Sequence, residues 1–425
     1  MSRRCSGILA FWVAFLLTSS FVWANGSESE ADIHFSALIK KGEPLFIHYC
    51  SHCHGIAGDG DGYNAEYLDK EPAELSDHEF LAKKSNEQIY KIIDLGGRGV
   101  RKSHLMPSFG HTLSEEELWS LVAYVRFLSG DTSHLVTSPE GVLTTRPTGP
   151  QETIEALSDF SRWFLESGEE PSILGQGEKL FKKKKSCLAC HQVDDEGGIV
   201  GPDLSRSGFS YTPEWLYTWM GNPQHVKPDT KMPNVGLAKE ESQAITAYLS
   251  KMMGEGLTEE WSEYLKEKGD AEAGEKLFFD LEGKANCSKC HRVNGLGGKV
   301  GPELSWVGSS RTLPFLLESI LDPKVVITSG YASVLILTNK GKFISGVKTN
   351  EDDSSIDLVN NEGLSLRILK VDIRKFKTQK ISIMPGNFKD ILNLQETRNL
   401  LAFLETLKLF EVSKTEGVEI LTIKD

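Results

Sequence analysis

Apolar positions along this chain of 425 residues fall into three patterns. The first is helical. Three stretches open alike, as Gly42-Glu-Pro-Leu-Phe46, Gly177-Glu-Lys-Leu-Phe181 and Gly274-Glu-Lys-Leu-Phe278, and three later ones carry an aromatic in a matched setting, Ala123-Tyr124-Val125, Ala247-Tyr248-Leu249 and Ala402-Phe403-Leu404. Leu113-Ser-Glu-Glu-Glu and Leu237-Ala-Lys-Glu-Glu put acids where a helix N-terminus favours them. Between Glu152 and Glu166, Ile154, Leu157, Phe160, Trp163 and Phe164 cluster on one face, which predicts an extra amphipathic helix. The second pattern is alternation. Tyr331 to Thr338, Lys342 to Lys348, Ser355 to Val359, Leu364 to Leu369 and Val371 to Phe376 read as strands, the first two joined by a turn at Asn339-Lys-Gly341. The third is one mostly apolar run, Ile8 to Val22, behind Arg3 and Arg4 and closing on Val22-Trp23-Ala24, which reads as an export signal cleaved after Ala24. The run is short for a membrane span, and an uncleaved anchor is the alternative.

Between each opening helix and its closing one stands the same chemistry. Cys50-x-x-Cys53-His54, Cys187-x-x-Cys190-His191 and Cys287-x-x-Cys290-His291 use six of the seven cysteines; the seventh, Cys5, lies within the signal. This is the attachment pattern of c-type haem. Two thiols about one helical turn apart reach the two vinyl groups of a porphyrin, and the adjacent histidine then lies beneath the iron. Zinc ribbons pair two Cys-x-x-Cys units some 15–20 residues apart, and a thioredoxin-like motif needs a βαβ setting. Neither fits three copies each followed by His. The cofactor expectation is therefore three covalently bound haem c, with His54, His191 and His291 as proximal iron ligands.

A Met-Pro pair follows each motif: Met106-Pro107, Met232-Pro233 and Met384-Pro385. In the third repeat His291 and Met384 are the sole histidine and methionine, so bis-histidine ligation from within that repeat is excluded; a lysine, a water or an open position is the alternative to Met384. Met232 competes with Met220 and His225, and Met106 with His104 and His111. The order of opening helix, haem motif, methionine loop and closing helix resembles class I cytochrome c. The resemblance implies Met106, Met232 and Met384 as the second axial ligands. It also implies a close helix crossing at Gly42, Gly177 and Gly274 against Tyr124, Tyr248 and Phe403, and a proline carbonyl that orients the proximal histidine. Gly201-Pro202-x-Leu204 and Gly301-Pro302-x-Leu304 match that last pattern. The first repeat departs from it, with Gly55-x-x-Gly58-Asp-Gly60-Asp-Gly62 and then Pro72-Ala-Glu-Leu75; it resembles cytochromes of oxidase and dehydrogenase complexes, and Pro72 is its candidate carbonyl or a plain turn proline.

The predicted fold is mainly α: three tandem class I cytochrome c domains, the third interrupted by a small β-barrel-like insertion. A signal segment at 1–24 precedes domains at 32–130, 173–254 and 270–412. Segment 131–172 is a linker with the extra helix, 255–269 a second linker, and the insertion covers about 330–377. From His291 to Met384 there are 93 residues, against 52 and 41 in the earlier repeats. With Gly330-Tyr331 and Ser382-Ile-Met384-Pro-Gly386, the third domain resembles the C-terminal haem-binding domain of large planctomycete-type dehydrogenases. Packing over a haem edge and docking a partner are both open for the insertion.

The formal charge is −13, and losing Arg3 and Arg4 with the signal makes it −15. That argues against nucleic acid and anionic membrane surfaces and suits a basic redox partner, or simply a soluble acidic protein. Arg98, Arg101, Lys102 and the run Lys182 to Lys185 are exceptions, facing haem propionates, a partner or only solvent. The function implied is an exported, periplasmic electron carrier, not an enzyme, passing single electrons between partner proteins as a subunit of a dehydrogenase or oxidase complex. Membrane association would come only through that complex or an uncleaved signal. A multihaem peroxidase with one open haem, or a haem-based redox or gas sensor, are the alternatives.

Overall fold

Each repeat closes where a glycine lets two helices touch. The computed structural model describes residues 30–425 except 132–133, 148–153, 329, 353, 361, 380, 409, 416–417 and 424–425; the signal segment and Cys5 lie outside the described residues. The principal helices are α1 (Glu30–Tyr49), α2 (Asn86–Gly99), α3 (Glu115–Leu128), α4 (Ile154–Ser167), α5 (Pro171–Lys179), α6 (Pro213–Gly221), α7 (Lys239–Ser250), α8 (Ala271–Phe279), α9 (Leu313–Leu321) and α10 (Leu394–Thr406). The main helix pairings are α1 with α3, α5 with α7, and α8 with α10. A β-carbon on Gly42, Gly177 or Gly274 would stand 2.9, 2.8 or 2.9 Å from the β-carbon of Tyr124, Tyr248 or Phe403, and still closer to a main-chain carbonyl of the partner helix. Only glycine permits that approach. Beside it the rings Phe46–Tyr124, Phe181–Tyr248 and Phe278–Phe403 meet at 5.2, 5.8 and 5.4 Å between centroids.

Side chains fix where the helices begin. Ser85 with Gln88, Ser114 with Glu117, and Asn393 with Glu396 form reciprocal capping boxes at α2, α3 and α10, satisfying amides that would otherwise lack partners. Thr212 and Thr312 cap α6 and α9 by accepting from the amides of Trp215 and Phe315. The first core is organised around a charge. Arg126 has no exposed surface; it pairs with buried Asp131 at 2.9 Å and donates to Asn86 Oδ1 and the Leu81 carbonyl, both at 2.8 Å. The linker is not free. Leu143 donates to Glu115, Arg146 forks onto Glu117 at 2.9–3.1 Å, and Val136 is fully buried in the first core. The amphipathic face predicted around Phe160 packs on α6, with Phe160 stacked on Tyr217 at 4.1 Å.

The second and third repeats meet through a local two-fold relation. Thr212 Oγ1 donates to the Ser309 carbonyl at 2.5 Å, and Thr312 Oγ1 donates to the Phe209 carbonyl. Each residue's counterpart lies one hundred positions away, so the contact is reciprocal. Tyr211 and Arg311 form an antiparallel bridge at its centre, with the Arg311 guanidinium 4.1 Å above the Tyr211 ring. Arg206 adds a bidentate pair with Glu318 at 2.8 and 3.1 Å.

The insertion is a five-stranded antiparallel sheet of β1 (Ser333–Thr338), β2 (Phe343–Glu351), β3 (Ser355–Val359), β4 (Ser365–Leu369) and β5 (Ile373–Thr378). The order is β4-β3-β2-β1-β5. All five lie within a few residues of the predicted strands, because one face alternates into a small core of Val334, Ile336, Ile356, Leu358 and Ile368. The barrel closure that the sequence suggests is not among the described pairings, which leave β4 and β5 as edges. Across the expected end of the third domain at 412, Phe410–Thr415 pairs with Val418–Ile423 as a hairpin.

Candidate functional site

The three Cys-x-x-Cys-His segments adopt one local geometry. In each, the second cysteine amide donates to the carbonyl of the first at 3.1 Å, and the histidine amide donates to that same carbonyl at 2.9–3.0 Å. This single turn places both sulfurs and the imidazole on one side. The first motif continues directly from α1, whereas Ser186 and Asn286, with φ of 62° and 46°, break the chain in the left-handed region just before the other two. After the histidine, the second and third repeats make a two-residue hairpin whose central residues, Asp194-Asp195 and Asn294-Gly295, all have positive φ, as a primed turn requires.

Each imidazole is held through Nδ1. His191 contacts the Pro202 carbonyl at 2.8 Å and His291 the Pro302 carbonyl at 2.9 Å. His54 uses the Ala73 carbonyl at 2.9 Å, one residue past the Pro72 carbonyl suggested by sequence; its irregular glycine loop moves the acceptor along by one peptide. A carbonyl acceptor fixes the proton on Nδ1 and leaves the Nε2 lone pair for a metal. The glycines before Pro202 and Pro302 lie against their rings, and a β-carbon on Gly201 would stand 2.6 Å from His191 Nδ1. Burial lowers the pKa of all three imidazoles, with the carbonyl bond opposing it. Burial also pushes the Cys50, Cys187, Cys190 and Cys287 thiols up to about 12, and raises Cys53 and Cys290. None of the six forms a disulfide. Buried thiols beside a neutral imidazole with a free Nε2 fit a covalently tethered, metal-bearing ring.

The Met-Pro loops are fastened by their own surroundings. α2 breaks at Gly96, with φ of 70°, and Gly97 donates to the Met106 carbonyl at 3.0 Å while Phe109 and Gly110 bond back to Ile93 and Asp94. Met232 is held by Gln224 Nε2 on its carbonyl at 2.6 Å, and its Sδ accepts from Trp219 Nε1 at 2.9 Å. Met384 is anchored through its amide on Ser382 Oγ at 3.1 Å. Each of the three packs, partly buried, on the core that contains its own haem motif. The competitor Met220 lies inside the second core. Arg98 bonds the Lys183 carbonyl, and within the lysine run Lys182 and Lys185 pair with Glu178 and Glu241.

Sequence reasoning missed two residues at this site. Trp219 reads as a core aromatic of α6, and its reach to Met232 is a tertiary contact. Asn64 reads as a loop residue, yet it is fully buried between the first two repeats.

Residues 37–125 match the family model described as cytochrome c oxidase, cbb3-type, subunit III. Residues 175–253 and 271–353 match the model for cytochrome c, the latter stretch ending inside the inserted sheet. Among curated proteins, cytochrome c of Theileria parva is 32% identical over 95 residues, covering 17% of this chain and 81% of that protein. The chain belongs to the cytochrome c family. Cytochrome c 2.1 of Caenorhabditis elegans agrees, 33% identical over 89 residues and covering 16% of this chain and 78% of that one. A solved structure from the reducing HAO-like protein complex of Kuenenia stuttgartiensis covers 51% of this chain and 96% of its own, at 18% identity and a TM-score of 0.18; so low a score carries no argument. This cytochrome is thus an electron-transfer haem protein, and its domains imply covalently bound haem c. No helix of the described residues is long and apolar enough to cross a membrane.

Proposed function

We propose that this cytochrome is an exported relay of three haems, one on each Cys-x-x-Cys-His, with axial pairs His54/Met106, His191/Met232 and His291/Met384. It passes single electrons between protein partners as the cytochrome subunit of a dehydrogenase or oxidase complex. The observation that carries the reading is recurrence. All three motifs combine the same cysteine turn, a proximal imidazole tied at Nδ1 to a carbonyl, and a methionine loop on the same core. Haem supplies one-electron chemistry when bound. The protein's own residues tether it, orient the imidazole, exclude water with apolar packing, and offer a thioether, which favours the ferrous state relative to a second imidazole.

Export is supported by the apolar leader with its basic start. A complex subunit is favoured over a free carrier by the inserted sheet, which adds surface without adding reactive groups, and by the likeness of the first domain to an oxidase subunit model. The mass of the mature protein, with haem stain and optical spectra, tests the assignment. Three covalent haems, each low-spin with a sulfur-to-iron charge-transfer band, are expected, and M106A, M232A and M384A should each remove one band. Fewer than three haems, or five-coordinate irons in the resting protein, would overturn it.

A further inference from the structure

Asn64 is a buried polar side chain at the boundary between two haem motifs. Its exposure is 0%. Its Nδ2 donates to Cys53 Sγ at 3.3 Å within its own domain and to the Ala189 carbonyl at 2.8 Å in the next. Its Oδ1 accepts from the Ile199 amide at 2.6 Å. The amide group is satisfied on both ends by the neighbouring domain, and Ala189 is the residue beside Cys190. Gly198 completes the cradle, since a β-carbon there would lie 2.6 Å from Asn64 Oδ1 and 2.8 Å from Nδ2. The third repeat supplies the contrast. The residue corresponding to Ala189 is Lys289, which is exposed, and around Gly298 the nearest atoms belong to its own haem motif.

We propose that Asn64 docks the first haem motif onto the second, so that the first two haems form a fixed, closely coupled pair and the third stands apart. This rests on haem being carried at both motifs. Asn64 then lies on the route between them. Cys53 Sγ, the Asn64 amide, the Ala189 carbonyl, the peptide bond to Cys190 and the Cys190 side chain form an unbroken sequence of covalent and hydrogen bonds. With haem carried at both motifs, this route would let one electron pass from a ferrous iron to a ferric one, the first becoming ferric and the second ferrous, with no bond made or broken and no proton moved. Buried, fully satisfied polar contacts of this kind fix one geometry, because any shift leaves several groups unpaired in a medium without water.

The test uses the full haem-loaded chain and two variants that approach the contact from opposite sides. N64L removes the amide from the first domain, and G198A wedges the cradle from the second. Covalent haem is first counted by mass. In the wild type, the Ile199 amide should be protected from exchange by its bond to Asn64 Oδ1, and ferric spectra should show magnetic coupling between two of the haems. In each variant Ile199 should exchange roughly tenfold faster, as expected for a buried amide that loses its acceptor. The coupling should be lost, and pulse-initiated electron exchange between the first two haems should slow while the third is unaffected. Three haems with unchanged coupling in both variants would overturn the docking role and leave the haem assignment standing. A missing haem at either of the first two motifs of the wild-type protein would overturn both. Should N64L fail to mature, G198A alone decides.

Discussion

Two glycines of one helix should respond to alanine in opposite directions. In α5, Gly177 faces α7, where an added β-carbon would stand 2.8 Å from Tyr248 Cβ and 2.7 Å from the Ala244 carbonyl carbon. Gly175, half a turn away on the same helix, has nothing within 4 Å of that position. Alanine in place of an interior helical glycine gains roughly 1 kcal/mol in propensity. Overpacking costs about 1–3 kcal/mol. At Gly177 the obstacles are a main-chain carbonyl and a β-carbon, neither of which can rotate aside, so the upper end of that range applies. G177A should therefore lose about 2 kcal/mol, and G175A should gain about 1 kcal/mol. A whole-protein melt would blur the effect, because a multidomain chain need not unfold in one step. Amide exchange resolved to α7 reads the second domain directly. A loss of about 2 kcal/mol appears there as roughly thirtyfold faster exchange around Tyr248. If both variants shift exchange in the same direction, the close crossing of α5 and α7 is wrong.

Replacing Arg126 by methionine would leave buried Asp131 with only His134 Nδ1, at 2.9 Å, of these two partners; a loss of about 3 kcal/mol, the lower end for a broken buried pair, is expected, read as exchange of the α3 amides. With Met232 ligating the second haem as proposed, W219F would remove the donor on its Sδ and let the sulfur give more density to a ferric iron. The second haem's potential should then fall by about 40 mV, equivalent to about 1 kcal/mol for one electron, in a spectroelectrochemical titration. E318A would strip the bidentate partner from Arg206 and should cost about 2 kcal/mol at the junction of the second and third domains, visible as faster exchange at Thr212 and in 309–312.

Much of the site was legible because its chemistry is local. A cysteine pair one turn apart followed by histidine dictates its own geometry, and a Gly-Pro ten residues on places a carbonyl against the ring in two repeats. The first repeat shows the limit. Its loop from Gly55 to Gly62 has no fixed register, so sequence pointed to Pro72 where the structure uses Ala73. The strands were readable from alternation because one face of the sheet is buried, whereas closure of a sheet depends on pairings between distant segments. Asn64 and Trp219 escaped notice for the same reason. Their partners, Ala189, Ile199 and Met232, are fixed only when separate elements assemble. Arg126 also gave no signal, since a charged residue in a helix usually marks its wet face.

The reciprocal contact between Thr212 and Thr312 has a consequence for how such proteins can grow. A patch that binds its own likeness consumes both copies at once, leaving no unsatisfied surface of that kind. The first domain instead joins the second through a different set of residues, Asn64 against Ala189 and Ile199 and Thr112 against the Asn234 amide. A further copy of the self-binding patch would find no counterpart left to bind within this pair.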